Sequence, residues 1–97
     1  MAQSVETLKS KAIRGSILRA LARFQFLPIS SFLLQVALID QCSDIMPHAR
    51  YLQDKGYIRI DDVSGQNIVG IDHLISLTAH GIDLIEESIP ADGGIVF

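Results

Sequence analysis

The residues able to do acid–base, nucleophilic or metal chemistry are few and scattered along this chain. His48, His73 and His80 stand apart from one another, and there is no H-E-x-x-H, phosphate-binding loop or nucleophile elbow around them. Cys42 is the sole cysteine, so neither an intrachain disulfide nor a cysteine-based metal cluster can form. A lone thiol following an apolar run reads as inert packing. Asp61 and Asp62 are adjacent on a strand-like segment, which sends their carboxylates to opposite faces and prevents them from sharing a proton. Asp72 and His73 supply two ligands where a structural metal site needs four. These residue types lead to an expectation of no enzyme activity, no metal and no cofactor.

What remains is charge available for binding. Residues 1–23 carry Lys9, Lys11, Arg14, Arg19 and Arg23 against Glu6, a balance of +4. The other 74 residues carry Arg50, Lys55 and Arg59 against ten acids, a balance of −7, and the whole chain is at −3. An acidic total leaves nucleic-acid binding open, because a local patch governs it. Arginine can pair bidentately with a guanine edge, and tyrosine or histidine can reach a phosphate or a base. In MPHARYLQDKG these types are grouped as His48, Arg50 and Tyr51, preceded by Ser43 and Pro47. At about 100° per residue the cations of the first segment spread around its surface and form no single stripe.

The elements that must position these groups follow from periodicity. The chain has 97 residues, 48% of them hydrophobic, enough for one domain with a core. Its apolar runs are shorter than the roughly 20 residues that span a bilayer. The start, MAQSVETLKSK, has no apolar signal core, so a cytoplasmic protein without a membrane partner is expected. Ile13, Ile17, Ala20, Leu21 and Phe24 fall on one face of a helix over about 4–24. A second stripe, Leu8, Lys11, Gly15, Leu18 and Ala22, lies opposite. It is either a homodimer seam or the face that packs on the chain's own C-terminal helix. Residues 25–30, with Pro28, read as a connector. The run FLLQVALI predicts a deeply buried helix over about 31–41, capped by Ser30, with Phe24, Phe26 and Phe32 in the core.

A third helix is expected over 43–55, with Asp44 as N-cap, Pro47 in the third helical position and Gly56 as its stop. YIRIDDV (57–63) and IVGIDHLISL (68–77) predict an antiparallel hairpin around a Ser-Gly-Gln-Asn turn. Thr78 caps a fourth helix over about 79–89, with Ile82, Ile85 and Ile89 inward and Pro90 at its end. Residues 90–97 read as a mobile tail closing on the apolar Ile95, Val96 and Phe97.

Two segments give this order a family likeness. ARYLQDKGYIRI (49–60) resembles the stretch where the recognition helix of winged-helix regulators turns through a glycine into the first wing strand. LTAHGIDLI (77–85) resembles the stretch that closes the wing and opens the next helix. The chain thus resembles the winged helix-turn-helix family, with a core of the MarR, PadR and ArsR kind. More loosely, it is similar to small winged-helix proteins of Mu-like phages and prophages. The resemblance covers about residues 13–89. It implies a mainly α domain with a small β-hairpin (α+β), ordered helix, helix, helix, strand, strand, helix. It also implies a DNA-binding transcriptional regulator with the helix over 43–55 in the major groove.

Carried onto this sequence, the DNA-contact set is Lys11, Arg14, Ser43, Pro47, His48, Arg50, Tyr51 and Arg59. The wing departs from the family pattern, because DDVSGQN offers acids where wing tips carry lysine or arginine. The partners to consider are double-stranded DNA, a second copy of the chain and a protein. The last belongs to the alternative reading, a phage-related protein–protein module without DNA contact. Leu8, Gly15, Leu18, Ala22, Ile95, Val96 and Phe97 are the candidate residues for a dimer or partner contact, the tail by adding a strand to a sheet edge or filling a groove.

Overall fold

The computed structural model describes residues 4–25, 27–63 and 73–97. Among these described residues it is an α+β domain of four helices and a three-stranded antiparallel sheet. In chain order these are α1 (Val5–Arg23), β1 (Ile29–Ser30), α2 (Ser31–Ala37), α3 (Met46–Asp54), β2 (Ile58–Asp62), β3 (His73–Leu77) and α4 (Ala79–Ile85). The sheet order is β1-β3-β2. β2 and β3 pair from Ile58 opposite Leu77 to Asp62 opposite His73, the hairpin expected from alternation. The turn and the first part of the expected return strand (64–72) lie outside the described residues. β1 is an addition to the expected order. Two residues are too short to show a period, so the connector hid a strand that places Ile29 opposite Ile75.

The core is the inward face of α1 closed by the sheet and the other helices. Ile17, Leu18, Leu21, Leu34, Ile45, Leu52 and Ile75 are its fully buried large side chains. α1 begins at Ser4, whose hydroxyl accepts the Thr7 amide. Ser30 caps α2 and Thr78 caps α4 through the same hydroxyl-to-amide bond, as expected of both. α3 starts one residue later than predicted. Ile45 is its N-cap and Pro47 is its second residue, although the Asp44 carboxylate still accepts the Met46 amide at 3.1 Å.

α3 ends as the sequence predicts, at Gly56 with φ 85°. The Gly56 amide donates to Gln53 and the Tyr57 amide to Leu52, closing the last turn. α4 stops at Ile85, well before Pro90. There the Glu87 amide bonds Leu84 and the Ser88 amide bonds Asp83 in the same pattern. The left-handed position is filled by Glu87 (φ 62°), a strained choice where glycine is usual. Ile82, Ile85 and Ile89 are consequently half-buried rather than central, and Leu84 is the buried side chain of that helix.

α2 departs most from expectation. It has two turns, and Leu34 is its buried residue, with Leu38 just beyond it. Phe32 is 66% exposed, and Phe24 and Ile39 are also open to solvent. So short a helix can turn only one stripe inward, and its remaining apolar residues face outward. Phe26 lies outside the described residues.

Candidate functional site

The site is the outer side of α3 with the parts of α1 and of the chain end that lie against it. Its foundation is the turn between α2 and α3. The Gln35 side chain spans that turn, its Nε2 donating to the Cys42 carbonyl at 2.7 Å and its Oε1 accepting the Ile45 amide at 2.8 Å. Ser16 on α1 donates to Gln41 at 2.8 Å, which ties the same turn to the first helix. Sequence reasoning missed Gln35 and Gln41. Gln35 has one signal, a polar residue set inside an otherwise apolar run, and Gln41, in the polar stretch after it, has none.

α3 turns Ala49 and Leu52 into the core and leaves Pro47, Arg50, Gln53 and Asp54 exposed. Among the described residues no ion pair holds Arg50. Ser43 is exposed at the preceding turn, and His48 is half-buried. Burial first, and then the Arg14 guanidinium, hold the His48 imidazole below its usual range, with Asp44 partly opposing them. A neutral imidazole at neutral pH adds no cation for a phosphate. Cys42 lines a cavity of about 230 Å³ with His48, but its thiol lies 3.0 Å from the Asp44 carbonyl, to which it donates.

Two of the expected DNA contacts serve another purpose. The Arg14 guanidinium lies over the Tyr51 ring, 3.7 Å from its centroid, and donates to the Gly94 carbonyl at 3.1 Å. Tyr51 is also pressed against the chain end, since a Cβ at Gly94 would overlap its hydroxyl. Residues 90–97, read as a mobile tail, lie along α1 and α3. Ile95 is buried, the Val96 amide donates to the Lys11 carbonyl at 3.0 Å, and Gly15 leaves room for the Val96 carbonyl. Asp92 anchors this segment. Its carboxylate accepts the Tyr57 hydroxyl at 2.6 Å and the Gly94 amide at 2.7 Å, and it pairs with Lys55 at 3.3 Å.

The electrostatics of that anchor run in one direction. Burial, with the hydrogen bond to Asp92 behind it, pushes the Tyr57 hydroxyl up to about 12. The same bond is the main reason the Asp92 carboxyl sits below its usual range, helped by Gly94 and Lys55 against the opposing effect of burial. The Tyr57 contribution to stability is therefore whole below its unfolded value of about 10 and is lost as pH rises towards about 12. The Asp92 contribution is present above about 3.9 and is lost as pH falls through its lower folded value. We expect the melting temperature to drop between pH 10 and 12, and to drop less in Tyr57→Phe. Equal alkaline slopes in the two proteins would contradict the assignment.

The second stripe of α1 is divided. Leu18 and Gly15 are buried inside the molecule, the latter under the chain end rather than under α4. Ala22 is half-buried, and Leu8 is 48% exposed. Val96 and Phe97 remain about half exposed. Of the remaining cations, Lys11 is half-buried, while Lys9, Arg19 and Arg23 are exposed. Arg59 bonds Asp61 two residues along the same strand at 2.9 Å. Among the described residues no group of three or more His, Cys, Asp or Glu could hold a metal, and no helix is long and apolar enough to cross a membrane. No protein-family model, curated protein or solved structure matches the chain.

Proposed function

We propose that this chain is a winged-helix domain that associates with double-stranded DNA through α3 and acts in transcriptional regulation. The observation that carries the reading is the exposed Arg50, held by no ion pair among the described residues and set between the exposed Pro47 and Gln53 on the outward face of α3. The element order supports it. Two helices joined by a braced turn and followed by two paired antiparallel strands fit the expected order, to which β1 is an addition. In such a domain the second helix of the pair enters the major groove.

The contact set is narrower than the sequence suggested. Arg50 reads or grips, Ser43 and Pro47 flank it, and Lys9, Arg19 and Arg23 are the exposed cations of α1. Arg14 and Tyr51 support the chain end, and Arg59 is paired within its own strand. Few free cations mean modest affinity, because phosphate contacts supply most non-specific binding.

The test compares the chain with Arg50→Ala on a labelled mixed-sequence duplex by fluorescence anisotropy. We expect Arg50→Ala to weaken binding about tenfold, in line with the loss of about 1–3 kcal/mol for a principal arginine contact. Equal affinities would remove α3 from the interface. A second reading, a protein–protein module, is favoured by the exposed apolar side chains of α2.

A further inference from the structure

We propose that the outward face of α2 is the seam on which two copies of this chain pair about a two-fold axis. This goes beyond the DNA reading and does not depend on it.

Residues 24–39 contain no charged side chain. On α2 and the turn after it, Phe32, Val36 and Ile39 fall at i, i+4 and i+7, one stripe set away from the buried Leu34. They are 66%, 52% and 57% exposed, and Leu33 beside them is 46% exposed. Phe24 and Leu27, also open to solvent, extend the patch from the end of α1. Phe24 lines the same groove as Ala37 and Leu38.

Together these six leave bare the equivalent of about three large side chains, roughly 600 Å². That is the upper end of what a monomer exposes in one patch, about 300–600 Å². Two such faces bury roughly 1,200 Å², the lower bound of a specific interface.

Charge and shape choose the occupant. A two-fold interface sets a surface against itself, so any net charge on it would repel its own copy. The six apolar residues carry none, and Arg19 and Arg23, which line the groove beside Phe24, would meet the neutral Phe32 ring of the other copy. The relief of the face is complementary to itself when the two α2 helices run antiparallel. Phe32 protrudes at the helix N-terminus, and a groove of about 260 Å³ bordered by Arg19, Arg23, Phe24, Ala37, Leu38 and Gln41 lies towards its C-terminal end. The knob of one copy meets the groove of the other. The stripe of α1 suggested by sequence is a poor seam by comparison, because Gly15 and Leu18 are already covered within the protomer.

The test is sedimentation equilibrium of the full chain from about 1 to about 100 µM, spanning the affinities usual for modest interfaces. We expect a species of about 21 kDa, twice the 10.6 kDa chain. Phe32→Glu and Val36→Glu should each weaken association by about 100-fold or more. Their helical circular dichroism should be unchanged, since both positions face solvent in the protomer. Leu8→Glu should dimerise like the parent. A parent chain that stays monomeric at 100 µM, a Phe32→Glu variant that still dimerises, or a dimer lost in Leu8→Glu would each overturn the proposal. Arg50→Ala binding to DNA is a separate readout, so either proposal can fail alone.

Discussion

Gly81→Ala is expected to destabilise the fold by about 2–3 kcal/mol, although alanine is the better helix former by about 1 kcal/mol. A Cβ at Gly81 would sit inside the Tyr57 carbonyl, with the Leu77 side chain close behind it. The Tyr57 carbonyl cannot move away cheaply. It accepts the Thr78 amide at 3.1 Å, and Tyr57 itself is buried, stacked on His80 with ring centroids 4.8 Å apart and bonded to Asp92. Gly81 is thus where α4 is seated on the end of the hairpin. For a domain of this size the melting temperature should fall by roughly 10–20 °C. Gly93→Ala is the control, because nothing lies within 4 Å of a Cβ there. It should melt within a few degrees of the parent. Similar melting of Gly81→Ala and the parent would show that α4 does not sit against Tyr57.

Leu18→Ala should cost about 2–5 kcal/mol, the range for emptying a fully packed leucine site. Leu8→Ala, ten positions earlier on the helix, should cost less than about 0.5 kcal/mol. The sequence places both on one stripe of α1, where a seam between molecules would make them equivalent. In the structure Leu18 is 0% exposed within a single protomer and Leu8 is 48% exposed. Chemical denaturation of the two variants at low concentration separates the cases. Comparable losses, or losses that disappear on dilution, would return Leu18 to an interface.

How much could be read beforehand follows from how local each determinant is. The caps Ser30 and Thr78 and the stop at Gly56 are decided by one residue and its nearest neighbours, and all were legible. The pairing of the hairpin was legible from alternation. The two-residue β1 was not, because Ile29 and Ser30 become a strand only by finding Ile75 and Leu74. Nor was the exposure of α2. FLLQVALI is apolar nearly all round, and hydrophobicity alone does not say that the protomer offers it just one wall.

For the candidate site, Arg50 and Pro47 lie on the exposed side of α3 where the sequence put them. Arg14 and Tyr51 are half-buried against the chain-end segment. Their partners, Gly94 and the chain-end segment, lie more than 40 positions away in sequence, and a cation–π contact leaves no spacing signature. A separation of more than 30 positions likewise hid Asp92, whose bonds to Tyr57 and Lys55 turn an apparent tail into a packed segment.

The central claim is DNA association, and the salt dependence of binding tests it most directly. A labelled mixed-sequence duplex titrated with the unmodified chain at several salt concentrations gives the slope of log K against log salt. The account predicts measurable binding at low salt with a slope of about −2 or steeper, as Arg50 and the exposed α1 cations each neutralise a phosphate and release its counterions. No binding at tens of micromolar protein in low salt would contradict it, since non-specific sites usually show about 10⁻⁴–10⁻⁶ M.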